Sequence, residues 1–440
     1  MRLTPMVIAA LGALAVTGAL AADAAKPAAA PIAPVSIARD GFAPKDTYLY
    51  LKNYSYEEVL KSGDVALFFL LNANNKLFTA TIPRSGNVVM LNKRLDASIG
   101  GVKVKGEFGE LPLSQFLADP RSRAQSVIVI HQGNVVFEEY PGMRDFDSHV
   151  WMSVTKTVPA LLLGQLAEEG KLDVKRPIDS YLPQLRGSDW AGIPVQDVLD
   201  MATGLDNVET QEARLNPRSV IARHNYAANG VPNADGKIES AMDVILASRR
   251  VKAPGQAFDY SSVNTVLLGL LAEAIENKRW TEIFRERVWS KMTGEGDALM
   301  NVASDGVAHV EGMMMTRLRD LGRYGMLYTR SWRMAAREKV VPDAYLRRIT
   351  ADARKDIYLK GELGTRMVEK YFPVSPPMAN SWQWDAIFAD GDMYKAGTMG
   401  QGLYVSTRKD LVVAWFSTRL FTDLTQYARA IALKYTQPKR

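Results

Sequence analysis

The chain has 440 residues, with 54 Lys and Arg against 48 Asp and Glu, so its formal net charge at pH 7 is +6. The positive charges are scattered along the sequence, without the basic stripe that is typical of nucleic-acid binding. There is no cysteine, which excludes disulfides, thiol catalysis and a lipoprotein attachment site. A chain of this length can bury a large core and is more than a minimal domain.

The first 21 residues have the pattern of a secretory signal peptide. Arg2 supplies the positive charge, residues 6–16 form the apolar stretch, and residues 19–21 form a small-x-small cleavage site. The apolar stretch is shorter than the roughly 20 residues that a membrane-spanning helix needs. We therefore predict a secreted or periplasmic protein with no membrane span after cleavage; an uncleaved anchor is the alternative.

The next two segments carry no motif with an evident chemical role. Residues 22–45 are rich in Ala and Pro, which predicts a linker. Residues 46–120 are predicted to be an N-terminal extension that covers the main domain. Within the extension we expect a short helix over 55–61 and strands over 66–71 and 77–81.

The main domain, residues 121–440, is predicted to begin and end with β-hairpins. Two apolar runs, 126–130 and 135–140, flank a turn, and a second hairpin is expected over 393–418. Residues 172–300 are predicted to form a mostly helical subdomain. Within it, helices are expected over 195–201, 241–248, 265–277 and 281–291. Two further helices are expected after it, over 311–321 and 423–435. Strands at both ends with helices between predict an α/β domain whose sheet joins distant parts of the chain.

The motif Ser153-Val-Thr-Lys156, followed by an apolar helical run, is the first candidate for chemistry. Residues three positions apart share a helical face, so the Ser153 hydroxyl and the Lys156 ammonium can meet. A serine becomes nucleophilic when a neighbouring group takes its proton, and a lysine can do so once burial lowers its pKa. The helical context therefore favours a functional pair.

A second match to the same pattern, Ser406-Thr-Arg-Lys409, serves as an internal control. About one or two matches are expected by chance in a chain of this size. This one lies between two apolar runs and reads as the turn of the second hairpin. Because a turn does not bring Ser406 and Lys409 onto one helical face, we assign it no function.

Two weaker motifs follow. Tyr260, with Ser262 two residues later, stands just before a predicted helix and can point hydroxyl groups into a cleft. Lys395 opens the first strand of the second hairpin, where a cation can hold a substrate carboxylate or lower a neighbouring pKa. Gly397 permits close backbone approach, and the Thr398 N–H can face the same space. Each of these motifs alone has a non-functional explanation: Tyr260 would simply pack on the helix start, and Lys395 would be a solvated residue on a strand edge.

In this order, the S-x-x-K, Y-x-S and K-x-G motifs resemble those of the serine β-lactamase and penicillin-binding-protein superfamily, nearest its class C branch. The resemblance covers about residues 126–417, and residues 148–156 look most similar to the 6-aminohexanoate-dimer hydrolases and related esterases. It implies a β-lactamase/transpeptidase-like α/β fold, with an antiparallel sheet flanked by helices and a mostly helical subdomain. It also implies a serine hydrolase that needs no metal or organic cofactor, and the signal-peptide pattern implies that this hydrolase is exported.

The resemblance implies a role for each motif residue. Ser153 would be the acylated nucleophile, Lys156 its proton acceptor, and Tyr260 a proton shuttle to the leaving group. Lys395 would occupy the position of the K-T-G lysine. The backbone N–H groups of Ser153 and Thr398 would form the oxyanion hole, where one donor contributes about 3 kcal/mol.

Two departures from the class C pattern bear on the substrate. Ser262 stands where class C β-lactamases carry Asn, and Ala396 where a threonine is common. We therefore expect a small-molecule amide or ester as substrate, with β-lactams turned over more slowly. A D,D-peptidase or β-lactamase, and a non-catalytic protein that binds peptidoglycan or a partner, are the alternatives. The sequence does not determine the oligomeric state.

Motifs of competing hydrolases are missing from the sequence. There is no G-x-S-x-G nucleophile elbow, and the four histidines show no metal-ligand spacing. We expect His149 to pack or cap near the site entrance. His309, two residues before Glu311, can reach the pocket, although a histidine with a purely structural role is the more common case.

Overall fold

Strands from distant parts of the sequence form the central sheet of the computed structural model, which describes residues 35–435. In chain order, the strands are β1 (Thr79–Ile82), β2 (Lys103–Gly106), β3 (Gly109–Pro112), β4 (Ala124–His131), β5 (Asn134–Glu139), β6 (His149–Val150), β7 (Ala298–Asn301), β8 (Met314–Thr316), β9 (Ala379–Ser381), β10 (Trp384–Ile387), β11 (Met393–Gly397), β12 (Gln401–Ser406) and β13 (Leu411–Ser417).

The α-helices are distributed over the whole described chain. They are α1 (Ser36–Asp40), α2 (Pro44–Lys52), α3 (Tyr56–Leu60), α4 (Asp64–Asn72), α5 (Leu113–Ala118), α6 (Thr157–Glu168), α7 (Val195–Leu199), α8 (Gln211–Leu215), α9 (Val220–Ala228), α10 (Ala241–Ala247), α11 (Ser262–Glu276), α12 (Trp280–Arg287), α13 (Leu318–Met326), α14 (Asp343–Ala351), α15 (Lys355–Tyr358), α16 (Glu362–Arg366) and α17 (Leu424–Lys434). Among the described residues, none of the helices is both long and apolar enough to cross a membrane.

The central sheet is antiparallel and has the strand order β5-β4-β13-β12-β11-β10-β9. The N-terminal hairpin β4–β5 thus pairs with the C-terminal hairpin β12–β13 through β4 and β13. This confirms both predicted hairpins and the predicted sheet that joins distant parts of the chain. The turn between β12 and β13 contains residues 407–410, so Ser406 and Lys409 do not lie on a helix.

Helices bury both faces of this sheet, which explains why its central strands are almost continuously apolar. Successive strand residues point to opposite faces. Ile128 and Val412 pack into the core cluster that includes residues of α6 and α13, whereas Val127 and Val413 pack into the cluster that includes α17. Each fully buried Val or Ile of this kind contributes about 1.5–3 kcal/mol. The result is the α/β arrangement that the sequence predicts, with an antiparallel sheet flanked by helices.

Between residues 172 and 297 the described regular elements are helices, as predicted, and α7, α10, α11 and α12 lie near their expected positions. The predicted helix over 311–321 is wrong in its first half. Met314–Thr316 forms strand β8, and α13 begins only at Leu318. Strand β8 pairs with β6 and β7 in a smaller sheet of order β1-β7-β8-β6. Buried methionines suit either a helix or a strand, so the apolar pattern misled the prediction.

The N-terminal extension differs from its prediction in one element. Helix α3 and strand β1 lie near their expected positions, but the predicted strand over 66–71 is wrong, because Asp64–Asn72 is helix α4. Five consecutive residues of α4 are buried, Ala66 through Leu70. A short apolar run buried on all sides has no periodicity that distinguishes a helix from a strand.

The described end of the predicted linker is also structured. Helices α1 and α2 occupy part of residues 35–45, and Val35 and Ala38 pack against Leu67 of α4. The linker prediction is therefore wrong for this part of the range. The predicted signal peptide and residues 22–34 lie outside the described residues.

Strand β11 lies directly against the turn that carries Ser153. A Cβ atom on Gly397 would lie 2.7 Å from the Trp151 carbonyl oxygen and 3.1 Å from the Met152 Cβ. Side chains do not tolerate the shorter of these distances, so only glycine allows this contact. The approach brings the end of β11 to the start of the Ser153 turn.

We predict that Gly397→Ala lowers the free energy of unfolding by about 1–3 kcal/mol, because the added methyl group must push strand β11 and the Ser153 turn apart. Gly101→Ala is the matched control, since a Cβ there meets only the Ser98 carbonyl oxygen, at an ordinary contact distance of 3.5 Å, and it should change stability by less than about 0.5 kcal/mol. Urea unfolding of both variants measures the difference. Equal stability of the two variants would contradict the tight contact.

Candidate active site

Ser153 is presented by a short, conformationally unusual turn. Residues Met152–Lys156 form one 3₁₀ turn, which continues into α6. Met152, the residue before Ser153, has a φ of 48°, a left-handed conformation that is uncommon for a residue with a side chain. Buried Trp151 fixes this geometry: its backbone N–H donates to the Met314 carbonyl oxygen and its indole N–H to the Thr316 hydroxyl, both at 2.8 Å. Such strain persists where the surroundings enforce it, as they do in functional sites.

Lys156 is buried and contacts three oxygen atoms. Its Nζ lies 3.1 Å from Ser153 Oγ, 2.9 Å from Ser262 Oγ and 2.5 Å from the Glu311 carbonyl oxygen. The contact with Ser153 confirms the predicted meeting of the two side chains across one turn. The contact with Ser262 brings the second motif to the same point.

The pKa of Lys156 falls to about 8, mainly because burial disfavours the charged ammonium. The carboxylates of Glu209, Glu311 and Asp385 oppose this shift, whereas the nearby Lys395 adds to it. A lysine with a pKa near neutrality is unprotonated in a substantial fraction of molecules at pH 7 to 8. Lys156 can therefore accept a proton from Ser153.

Residues 261 and 262 have separate tasks at the start of α11. Ser261 is the N-cap, and its hydroxyl accepts a hydrogen bond from the Asn264 N–H. Ser262 is the first helical residue and directs its hydroxyl to Lys156. The Ser262 N–H donates to Glu209 Oε1 at 2.6 Å, and Arg214 forms an ion pair with the same carboxylate. Glu209 thus holds the helix start in place beside Lys156.

Tyr260 lies between two ammonium groups. Lys395 Nζ is 4.7 Å and Lys156 Nζ 5.3 Å from the centre of its ring, which is cation–π distance. Burial, with the negative charges of Asp385 and Glu209, raises the pKa of Tyr260 well above its ordinary value, although an interaction with Ser153 acts in the opposite direction. Tyr260 therefore stays protonated at neutral pH and can donate a proton, while Lys156 is the group able to accept one.

Lys395 is fully buried and paired. Its Nζ donates to Asp385 Oδ1 at 2.5 Å, and the Ala396 N–H donates to the other oxygen of the same carboxylate at 3.0 Å. Burial lowers the pKa of Lys395, and Asp385 partly offsets the shift. Lys395 lies beside the Tyr260 ring, and its charge is already matched by a neighbouring carboxylate.

Two cavities meet at Ser153. The larger one, about 530 Å³, is lined by Tyr260, Asp385, the last two residues of β11 and Thr398. The smaller one, about 120 Å³, extends on the other side toward the helices of the subdomain. Ser153 and Thr398, the two residues of the predicted oxyanion hole, both line the two cavities and so border the same space.

The N-terminal extension forms part of the wall of the smaller cavity. Leu60 of α3 lines both cavities, and Tyr54 and Phe69 line the smaller one. The Tyr54 hydroxyl donates to the Asn229 side-chain oxygen at 3.4 Å, which joins the extension to the helical subdomain. Nothing in the sequence of the extension pointed to this contribution.

Two histidines and a glutamate lie at the inner end of the smaller cavity. His309 Nδ1 is 3.0 Å and His224 Nε2 3.5 Å from Glu311 Oε1, and all three side chains are buried. Burial works against a charged His309, but Glu311 overrides it and raises the pKa of this histidine. His309 therefore reaches the pocket, and both of its ring nitrogens have partners at 3.0 Å, Glu311 Oε1 and the Ala228 carbonyl oxygen. In the described part of the chain, no group of three His, Cys, Asp or Glu side chains is arranged to hold a metal ion.

His149 is not at the site entrance. It is buried beneath the sheet, with its ring nitrogens 2.8 Å from the Val150 carbonyl oxygen and from Gln125 Oε1, and it stacks on Phe416. The prediction that it packs is confirmed, and the predicted location near the entrance is wrong. Burial lowers the pKa of His149 to about 3, so it stays neutral.

Sequence reasoning missed Glu209 and Asp385, the two carboxylates that accompany the motif residues. Glu209 stands in a loop and Asp385 in a short strand, and neither has a recognisable spacing to Ser153, Tyr260 or Lys395. Only the folded chain brings them into contact with Ser262 and Lys395.

Comparison with known proteins agrees with this geometry. The family model described as Beta-lactamase matches residues 113–436, well over half of the chain. Over 295 residues the chain is 27% identical to the 6-aminohexanoate-dimer hydrolase of Paenarthrobacter ureafaciens, an alignment that covers 66% of this chain and 71% of the relative.

Two solved structures share the fold. A candidate 6-aminohexanoate-dimer hydrolase from Bacillus anthracis superposes with a TM-score of 0.68 at 19% identity, covering 86% of this chain and 97% of its own. A D-stereospecific amidohydrolase from Streptomyces sp. gives a TM-score of 0.50 at 15% identity, covering 72% and 96% of the respective chains. At these identities the two structures support the fold alone. The family match across most of the sequence, on the fold that its members share, shows that the chain belongs to the β-lactamase family and is a serine hydrolase.

Proposed function

We propose that the protein hydrolyses a linear amide or an ester through an acyl-enzyme on Ser153. The observation that carries this proposal is the contact of Ser153 Oγ with a buried Lys156 whose pKa is about 8. The relative named as a 6-aminohexanoate-dimer hydrolase supports the same substrate class. The predicted signal peptide supports action outside the cytoplasm.

Acylation begins when neutral Lys156 accepts the Ser153 proton and the hydroxyl oxygen attacks the substrate carbonyl carbon. The negative charge that develops on the carbonyl oxygen would be stabilised by the N–H groups of Ser153 and Thr398. The leaving nitrogen or oxygen must gain a proton as its bond to the carbonyl carbon breaks. Tyr260, protonated at neutral pH and close to Lys156, can donate that proton and recover one from the Lys156 ammonium.

Deacylation repeats the proton transfers with water in place of the serine. Water gives a proton to Lys156 as its oxygen attacks the acyl carbon, and the bond to Ser153 Oγ then breaks. The Ser153 oxygen takes up the proton and restores the resting state. Both half-reactions use the same base, so loss of Lys156 should abolish the complete cycle.

The cavities favour a flexible, partly apolar substrate. Aromatic and aliphatic side chains supply much of the wall of the larger cavity, among them Phe258, Leu363, Tyr371 and Phe421. The Ser262 hydroxyl oxygen accepts a hydrogen bond from Lys156 Nζ at 2.9 Å, at the position where a class C β-lactamase would present an asparagine amide. A hydroxyl already engaged in this way cannot supply the donor and acceptor of an amide to an acylamido side chain. This favours simple acyl groups over β-lactams.

We predict that a short-chain p-nitrophenyl ester and a linear amide dimer are hydrolysed with a kcat/KM at least about tenfold above that of a cephalosporin. The measurement is a direct comparison of the three substrates with purified protein. Ser153→Ala should lose the activity, and Ser406→Ala should retain it, because Ser406 ends strand β12 and its hydroxyl accepts from the Lys409 N–H, not from Lys156. A cephalosporin that proved the best substrate would overturn the argument from Ser262.

The pH dependence of kcat/KM tests the role of Lys156. Because the neutral amine is the active form, kcat/KM should rise with pH to a plateau, with a midpoint at about 8 and a roughly tenfold change per pH unit well below it. Glu209→Gln should move the midpoint lower, since the Glu209 carboxylate stabilises the ammonium. A flat profile between pH 6 and pH 10 would exclude Lys156 as the base.

A further inference from the structure

We propose that Asp385 makes the larger cavity selective against carboxylate-bearing substrates, so that the half of the substrate held there carries no negative charge. This inference rests on the proposed acyl-enzyme function and adds the charge class of the substrate to it. The relevant feature is that Lys395, the cation beside Tyr260 on the β11 side of the site, is already paired with Asp385.

Asp385 accepts hydrogen bonds from the two donors of β11 that could otherwise bind a substrate carboxylate at the cavity wall. One carboxylate oxygen accepts from Lys395 Nζ at 2.5 Å and the other from the Ala396 N–H at 3.0 Å. The side chains of Asp385 and Lys395 are 2% and 0% exposed, so water does not compete for the pair. A substrate carboxylate would have to displace a buried carboxylate that is already hydrogen-bonded at both oxygens.

The next residue of the strand offers no replacement donor. Ala396 lines the larger cavity with a methyl group, at a position where a threonine would offer a hydroxyl. The Ala396 N–H is already used by Asp385. On this side of the cavity a carboxylate therefore meets an apolar surface and an ammonium whose charge Asp385 already balances.

The other cations of the cavity are also matched by carboxylates. Among the described residues that line it, the guanidinium groups belong to Arg214 and Arg366, which form ion pairs with Glu209 and Glu362. Asp385 is the third carboxylate in this lining. Since Asp385 balances Lys395, each carboxylate of this lining has a cationic partner, and none of these cations is left for a substrate carboxylate that loses its water.

The test uses two matched pairs of thioesters that differ only in charge. One pair carries the group on the thiol half, S-butyryl thioglycolate against S-butyryl thioglycolamide. The other carries it on the acyl half, the S-ethyl thioester of adipic acid against that of adipamic acid. Released thiol is followed with a chromogenic disulfide, which the protein itself cannot consume because it has no cysteine. Testing both halves makes the result independent of which half enters the larger cavity.

We expect the wild type to prefer the carboxamide over the carboxylate by about 30-fold or more in kcat/KM for at least one pair. Asp385→Asn should reduce that ratio about tenfold or more, because it removes the negative charge and keeps a side chain of the same size. Glu362→Gln is the matched control, since Glu362 lines the same cavity but its side chain is 53% exposed. The ratio of this variant should stay within about threefold of the wild-type value.

Two results would overturn the proposal. One is a wild-type ratio within about threefold of unity for both pairs, which needs no variant to fold. The other is a folded Asp385→Asn protein whose ratio is unchanged. Failure of the proposed function looks different: none of the four thioesters would be hydrolysed, or Ser153→Ala would hydrolyse them as fast as the wild type.

Discussion

The site depends on the burial of one ammonium group. Lys156 lies beneath Ser153, held by the Ser262 hydroxyl and the Glu311 carbonyl oxygen, with its pKa lowered to about 8. Complete burial without compensation would keep it permanently neutral, and full compensation would keep it permanently charged. The nearby carboxylates of Glu209, Glu311 and Asp385 offset part of the effect of burial, so the pKa of Lys156 lies between these two limits. The left-handed turn at Met152 and the close approach of Gly397 then place a serine within reach of this base.

The cations around the catalytic base are paired with carboxylates of the protein, so they position the catalytic groups and are not available to bind the substrate. Lys395 pairs with Asp385, and Arg214 pairs with Glu209, so these cations already have partners inside the protein. They stabilise the position of the catalytic groups while the cavity wall stays largely apolar. The same arrangement that supports acyl transfer therefore works against recognition of an anionic substrate. The N-terminal extension completes the enclosure, because Leu60 borders both cavities.

The sequence predicted the parts of this arrangement that are local. Ser153 and Lys156 meet because they are three residues apart on a helical turn, and both hairpins follow from apolar runs around turn residues. Elements without a distinct period were predicted less well. Helix α4 was expected to be a strand, and β8 was expected to be helical, because short runs that are buried on all sides show neither a period of two nor of 3.6. Asp385 could not be predicted as a partner of Lys395, since their contact arises from strand pairing and burial rather than from a motif.

The central claim is that Ser153 is acylated because Lys156 takes its proton. Its most direct test is the reaction of the protein with a fluorophosphonate probe at about pH 8.5, above the lysine midpoint, followed by intact-mass measurement and peptide mapping. The account predicts one adduct per chain, located on Ser153, and a labelling rate at least about 100-fold lower in Lys156→Met. An adduct on Ser406 or another serine, or equal labelling of the Lys156→Met variant, would contradict it.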